Sequence, residues 1–342
     1  MNLILLVLIA LHFLVLVIGI IGNVSVIRVV WSTRSMHTTT NYLLANLALA
    51  DIITLSTNPY LYKLLFNLVL HFSSNRWSLL AKDWLCRLIM ENGIVGVFIC
   101  VSVTLLTVVA VERFNAMVKP LSPRFSIQKE QVWKIVILIW FVSVLLNIPI
   151  FIDVEFDPHT NRCISALDMT TYRKSTVVYL AIYFGVNFFI PGVIITVCYL
   201  SILKGLLITK SICSATVETI QGQEEKKKLA KLLTSVTVVY YCCFAPFLTF
   251  MIYMAFVKIL YNQAMNASTL LTNTYLITSS LSLFNSCLNP VLYAFQSSKY
   301  RRAFARLFTF NFMKVSRQVG VLVVATDARS RSTIQRQSTQ TL

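Results

Sequence analysis

What most constrains this chain is a series of apolar runs, each long enough to cross a bilayer. A hydrocarbon core takes about 20 residues of helix, and runs that meet this lie near 3–31, 41–70, 84–117, 132–152, 176–205, 228–257 and 269–295. Polar or turn-forming residues fill the gaps, so the chain reads as about seven spans. The opening "MNLILLVLIALHFLVLVIGIIGN" is a span rather than a leader. It lacks a basic start, its apolar run exceeds the roughly 7–15 residues of a signal core, and no A-x-A site follows. Charged residues make up 13% of the chain, against about 25% in a soluble domain. The expected class is an all-α membrane protein.

Lysine and arginine set the orientation. One side receives Arg34, then Lys119, Arg124 and Lys129, then Lys204, Lys210 and Lys226 to Lys228, then the basic tail from Lys299. The other side receives fewer, among them Arg76, Lys82, Arg162 and Lys174. The tail side is therefore expected in the cytoplasm and the N-terminus outside. The net charge of +17 follows from this arrangement and gives no ground for nucleic-acid binding.

Three segments are predicted: a membrane unit at 1–295, an amphipathic juxtamembrane helix at 296–310 and a disordered cytoplasmic tail at 311–342. In "SSKYRRAFARLFTF", Tyr300, Phe304, Leu307 and Phe308 recur at helical spacing, with Lys299, Arg301, Arg302 and Arg306 between them. Such a helix suits the inner leaflet and its lipids. No cysteine follows Cys287, which leaves no palmitoyl acceptor in this tail. The last stretch, "ATDARSRSTIQRQSTQTL", is polar and basic. Asn266-Ala-Ser268 is a glycosylation sequon on the outer side.

The motifs point to one family. Gly22-Asn23 lies in the first span, "NLALAD" ends at Asp51 in the second, and "VERF" (Glu112, Arg113, Phe114) closes the third before Pro120-Leu121. Trp140 and Pro149 mark the fourth span, Pro191 and Tyr199 the fifth, "CFAP" the sixth and "NSCLNPVLY" the seventh. In order, and each in its own span, these resemble the rhodopsin-like (class A) G-protein-coupled receptors. The implied architecture is a seven-transmembrane helix bundle with a short amphipathic eighth helix. The implied activity is that of a plasma-membrane receptor, not an enzyme: an outer ligand shifts an equilibrium and the inner face acts on a heterotrimeric G protein.

The resemblance assigns roles. Glu112 neutralises Arg113 in the off state, and Arg113 meets the G protein in the on state. Tyr240, Phe244 and Pro246 form the hinge of the sixth helix, with Tyr240 and Phe244 standing where the family usually has Phe and Trp. Asn289, Pro290 and Tyr293 form that of the seventh, and Tyr199 and Tyr293 turn inward in the open state. A second acid found in some relatives at the inner end of the sixth helix is Lys226 here, which implies some basal activity. Asp51 with Ser102, Asn285 and Asn289 matches the family's allosteric sodium site, the only cofactor implied. A hydrogen-bonded knot without an ion is the other reading.

Cys86 and Cys163 match the disulfide from the third helix to the second outer loop, two free thiols being the alternative. Cys86 to Arg113 is two residues longer than the family spacing, whereas Ser102 to Arg113 fits. A bulge is therefore expected around "ENGIVG", where Gly93 and Gly96 permit one.

For the ligand, the amine-binding position is Val95 or Gly93, neither acidic, and the retinal-binding lysine position is Leu283. A peptide, a lipid or another small non-amine ligand remains. The seventh helix and second outer loop look most like neuropeptide receptors. Glu91, Tyr183, Phe247, Met251, Tyr275 and Ser279 are candidate pocket residues, with ordinary packing as the rival reading for each. Serines and threonines of the tail, such as Ser330 and Thr339, are candidate contacts for receptor kinases and arrestin, or simply part of a flexible tail.

Other classes fit less well. A transporter should show internal repeats and paired broken helices. A channel or intramembrane enzyme needs a filter or a catalytic set within the spans. A ligand-independent membrane protein of the same fold remains as an alternative.

Overall fold

The computed structural model describes residues 3–58, 77–90, 93–118, 127–164, 174–205, 220–261 and 269–306. Helix α1 runs Leu3–Ser32 and α2 runs Thr39–Ser56. Helix α3 is composite: Leu79–Leu85, a π-helical turn at Cys86–Met90, then Gly93–Val118. Helix α4 is Val132–Asp153. Helix α5 is also composite, with a π-helical turn at Gly185–Phe189 between Lys174–Phe184 and Ile190–Leu203. Helix α6 is Ile220–Tyr261, α7 is Thr269–Gln296, and α8 covers 298–306. In lipid every backbone polar group needs an internal partner, and a helix supplies one.

Five of these helices are long and apolar enough to cross a membrane by themselves: Ala10–Ser32, Leu79–Val118, Lys129–Asp153, Val178–Leu203 and Ala230–Met254. Helices α2 and α7 fall outside that set, and they carry Asp51 and Asn289. Their polar cost is met inside the bundle, since Asp51 is 0% exposed and Asn289 1%.

Helix α3 packs on α2, α4, α5 and α6, and so lies at the centre. Helix α1 packs on α2 and α7, and α6 on α7. The core draws on every span, from Val26 and Leu47 through Leu105, Ile139 and Ile202 to Val236 and Tyr293. Phe13, Trp133, Phe141, Val193 and Leu200 point outward and exposed. On a chain of this kind that apolar belt faces hydrocarbon, which is as favourable a surrounding as the core.

The helical bond lost at Pro290 is replaced from a neighbouring helix. Pro290 has no N–H, so the Ser286 carbonyl one turn earlier loses its helical donor. Asn23 supplies the replacement: its Nδ2 donates to Ser286 O and to Gly19 O, each at 2.9 Å. Gly22 lets α1 come close enough, because a Cβ there would sit 2.8 Å from the Pro290 ring.

Among the described residues α3 has a wide turn just before its glycines, while Glu91 and Asn92 of "ENGIVG" lie outside the described residues. The wide turn is Cys86–Met90, immediately before "ENGIVG". Gly93 instead provides space, because a Cβ there would collide with the Arg87 carbonyl and stand 2.7 Å from the Phe151 ring. The bulged turn needs the glycine as a neighbour rather than as its own hinge.

A β-hairpin follows α4. Strands β1 (Glu155–Asp157) and β2 (Arg162–Ile164) pair antiparallel with Phe156 opposite Cys163. Asp157 holds the turn, accepting from His159 N at 2.9 Å and from Thr160 Oγ1 at 2.6 Å. These bonds, that from Thr160 first, keep its carboxyl below the usual carboxylate range. Helix α8 turns its apolar side inward: Tyr300, Ala303 and Phe304 join the bundle core, and Arg301, Arg302 and Arg306 remain exposed.

Candidate functional site

Two sites lie at opposite ends of the bundle, joined by a polar centre. At one end, the Glu112 carboxylate takes both arms of Arg113, with Nε to Oε2 and Nη2 to Oε1 each 2.5 Å. Neighbours at i, i+1 do not ordinarily face each other on a helix. Here α2 orients the acid: Thr40 donates to Glu112 Oε2 at 2.8 Å. Thr40 and Glu112 are buried, whereas the Arg113 side chain keeps 17% of its surface exposed. Phe114 packs against the core beside them. Tyr199 of α5 lies beside Thr237 of α6 and near the ion pair.

Helix α6 carries an aromatic column. Tyr240, 2% exposed, stacks on Phe244 at 4.5 Å between ring centroids. Tyr240 also meets Tyr241 edge-on at 5.3 Å and Phe188 of α5 at 6.5 Å. Pro246 lies within the helix two residues beyond Phe244. In α7, Tyr293 is 1% exposed and stacks on Tyr300 of α8 at 5.1 Å. The predicted switch residues are thus all placed at one end or along the two hinged helices.

The polar centre joins α2, α3 and α7. Asn289 Nδ2 donates to Asp51 Oδ2 at 2.8 Å. The hydroxyls of Ser286 and Ser102 lie beside the same carboxyl. Asp51 Oδ1, Ser102 Oγ, Asn285 Oδ1 and Asn289 Oδ1 are buried and find no hydrogen-bond partner among the described residues. Buried oxygens left so are costly in a low-dielectric interior. One carboxylate, one hydroxyl and two amide oxygens suit a small hard cation, so the residues present fit sodium.

At the opposite end, Cys86 and Cys163 form the disulfide, with their Cα atoms 5.5 Å apart. A polar staple lies beside it. Asp83 accepts from Arg87 Nε at 2.7 Å and from the Phe156 amide of β1 at 3.0 Å. Arg87 Nη1 donates onward to Phe151 O at 2.7 Å and Ile152 O at 3.0 Å, carbonyls that the end of α4 leaves without a helical donor. The Phe156 ring carries Lys82 at 4.9 Å.

The pocket candidates fall into two groups. Phe247, Met251 and Tyr275 join one cluster with Phe184, Phe250 and Met254 between α5, α6 and α7. Tyr183 stands apart, facing α3 and α4, with its hydroxyl 3.5 Å from Gly96 O and 3.4 Å from Asn147 Oδ1. Its ring meets Phe184 edge-on at 5.8 Å, which connects the groups. Ser279 donates back to Tyr275 O within α7. Glu91 and the sequon residue Asn266 lie outside the described residues. Thr40, Asp83, Arg87 and Asn147 carry no motif that marks them in the sequence. Only the i, i+4 spacing of Asp83 and Arg87 around Cys86 could have signalled any of them.

A family model described as the 7 transmembrane receptor (rhodopsin family) matches residues 22–293, from the Gly22–Asn23 contact to Tyr293. The chain belongs to the rhodopsin family of seven-transmembrane receptors. Among individual relatives of this receptor, the "Tachykinin-like peptides receptor 99D" of Drosophila melanogaster is 26% identical over 84% of the chain. The chain spans about half of that relative, 54% of its length. "Somatostatin receptor type 4" of Rattus norvegicus is 28% identical over 86% of the chain and 71% of its own. "Rhodopsin, GQ-coupled" of Mizuhopecten yessoensis is 25% identical over 83% of the chain and 56% of its own.

Proposed function

We propose that this receptor sits in the plasma membrane with its N-terminus outside, binds an extracellular peptide and drives nucleotide exchange on a heterotrimeric G protein. The observation that carries the reading is the Thr40–Glu112–Arg113 arrangement at the inner mouth. A guanidinium is held there by one carboxylate, partly exposed, under a helix hinged at Pro246. Such a cation is inert while paired and becomes a contact for a partner once released. Tachykinin-like and somatostatin receptors among the relatives favour a peptide. Leu283 at the retinal-lysine position argues against an opsin. In this reading the hairpin, held by Cys163 and Asp83, lies at the ligand end of the bundle.

In this reading the described arrangement is the off state. Arg113 is occupied, and Tyr293 stacks on Tyr300 rather than turning inward. Asp51, Ser102, Asn285 and Asn289 would hold sodium and so would help keep α2, α3 and α7 together. Receptor kinases and arrestin would act on the tail, lipids on α8, and a glycan on Asn266.

A screen of a neuropeptide library against the expressed receptor, read by nucleotide exchange, tests the reading. A responding peptide should lose its effect in Arg113→Ala while surface expression persists. Undiminished exchange in that variant would sink the mechanism.

A further inference from the structure

Some relatives in this family carry a second acid at the inner end of the sixth helix. Lys226 occupies the matching position, and among the described residues the only ion pair of Arg113 is with Glu112. A different link holds α6. Ser235 Oγ lies 3.2 Å from Gln296 Oε1, across 61 residues of sequence, and 2.9 Å from Lys231 O within its own helix. A serine hydroxyl has one proton and two lone pairs. Given to Gln296, the proton makes the bond as placed. Given to Lys231 O, it leaves Oγ free to accept from Nε2 after a half-turn of the carboxamide. Either way α6 and α7 are joined.

The α7 end of this link is well anchored. Gln296 is the last residue of α7. Ser297 Oγ next accepts from Tyr300 N at 3.4 Å, and Tyr300 donates to Asn41 Oδ1 of α2 at 3.1 Å. Asn41 in turn donates to Met36 O at 2.9 Å, in the turn between α1 and α2. Gln296 therefore projects from a point tied to the opposite wall of the inner mouth.

We propose that the Ser235–Gln296 hydrogen bond is a neutral clasp that closes the inner mouth and sets the basal activity, in place of an ionic contact to α6. This rests on the receptor reading above. An outward swing of α6 separates Ser235 from α7 and breaks the bond. One neutral, partly buried hydrogen bond shifts a two-state ratio by about two- to tenfold. The clasp thus closes the mouth without freezing it, which suits a receptor with measurable basal exchange.

The test is ligand-free nucleotide exchange by the full-length receptor in membranes, against a panel of heterotrimeric G proteins. Ser235→Ala and Gln296→Ala should each raise basal exchange about two- to tenfold. The double variant should go no further, because both changes remove the same bond. Gln296→Glu keeps an acceptor, now charged, and should not raise exchange above the parent's level. Glu112→Gln is the control for the receptor reading. If it raises exchange while Ser235→Ala and Gln296→Ala do not, the clasp is wrong and the receptor reading stands. If no variant drives exchange, both fall. A second readout needs no G protein. With Cys213 and Cys242 replaced by serine, spin labels at Lys228→Cys and Arg34→Cys should move apart in Gln296→Ala, and an unchanged distance overturns the clasp.

Discussion

Thr40 of α2 donates a 2.8 Å hydrogen bond to Glu112 Oε2, the oxygen that also accepts from Arg113 Nε. Adjacent residues on a helix diverge, so the acid–base pair depends on a hydroxyl 72 positions away. Thr40 is 3% exposed and Glu112 8%, so water cannot readily replace a lost donor. Thr40→Val keeps the shape and removes the proton. A hydrogen bond to a charged group is worth about 1.5–3 kcal/mol, and Thr40→Val should therefore raise ligand-free exchange by about tenfold or more. Equal exchange in variant and parent would remove Thr40 from the switch.

The bulged turn of α3 makes a stability prediction. Gly93→Ala pushes a methyl group into the Arg87 carbonyl and to 2.7 Å from the Phe151 ring. Overpacking of this kind costs about 1–3 kcal/mol. Thermal unfolding of the detergent-solubilised receptor should drop by several degrees, and the Ala variant should never be the more stable of the two.

The outer staple and the disulfide hold the same hairpin independently. Cys86→Ser removes a cross-link spanning 77 residues, with a typical loss of about 2–4 kcal/mol. Asp83→Asn removes the charge that binds Arg87 while leaving an acceptor for the Phe156 amide. It should weaken the hairpin less than Cys86→Ser does. Hydrogen exchange at the β1 and β2 amides gives the order, and the reverse order would contradict the staple.

The polar centre predicts an ion effect. Replacing choline chloride by sodium chloride at equal ionic strength should raise the melting temperature of the receptor. Asp51→Asn, which removes the only carboxylate of the set, should abolish the difference. No sodium effect in the parent would leave the buried oxygens of Ser102, Asn285 and Asn289 to water instead.

Much of this was legible along the chain because its signals are local. Apolar runs mark spans, lysines and arginines mark one face, and Pro290 marks a broken helical bond. Even Asp51 announces an interior position, since a charge in a span must face inward. What faces it is another matter. Asn289 lies 238 residues from Asp51, and Thr40 lies 72 from Glu112. The glycines place the expected bulge of α3 around "ENGIVG"; among the described residues a wide turn stands just upstream, and Gly93 leaves room for the Arg87 carbonyl.

By itself, then, the sequence determined the class of this protein: its helices, their number and the motif residues that place it in its family. Hydropathy and helical period act over a single turn or a single span, so they survive without a partner. Tertiary structure decided which side chains meet: Thr40 with Glu112, Arg87 with the end of α4, Ser235 with Gln296. Those pairs depend on the rotation and tilt of each helix, which packing across the whole bundle sets.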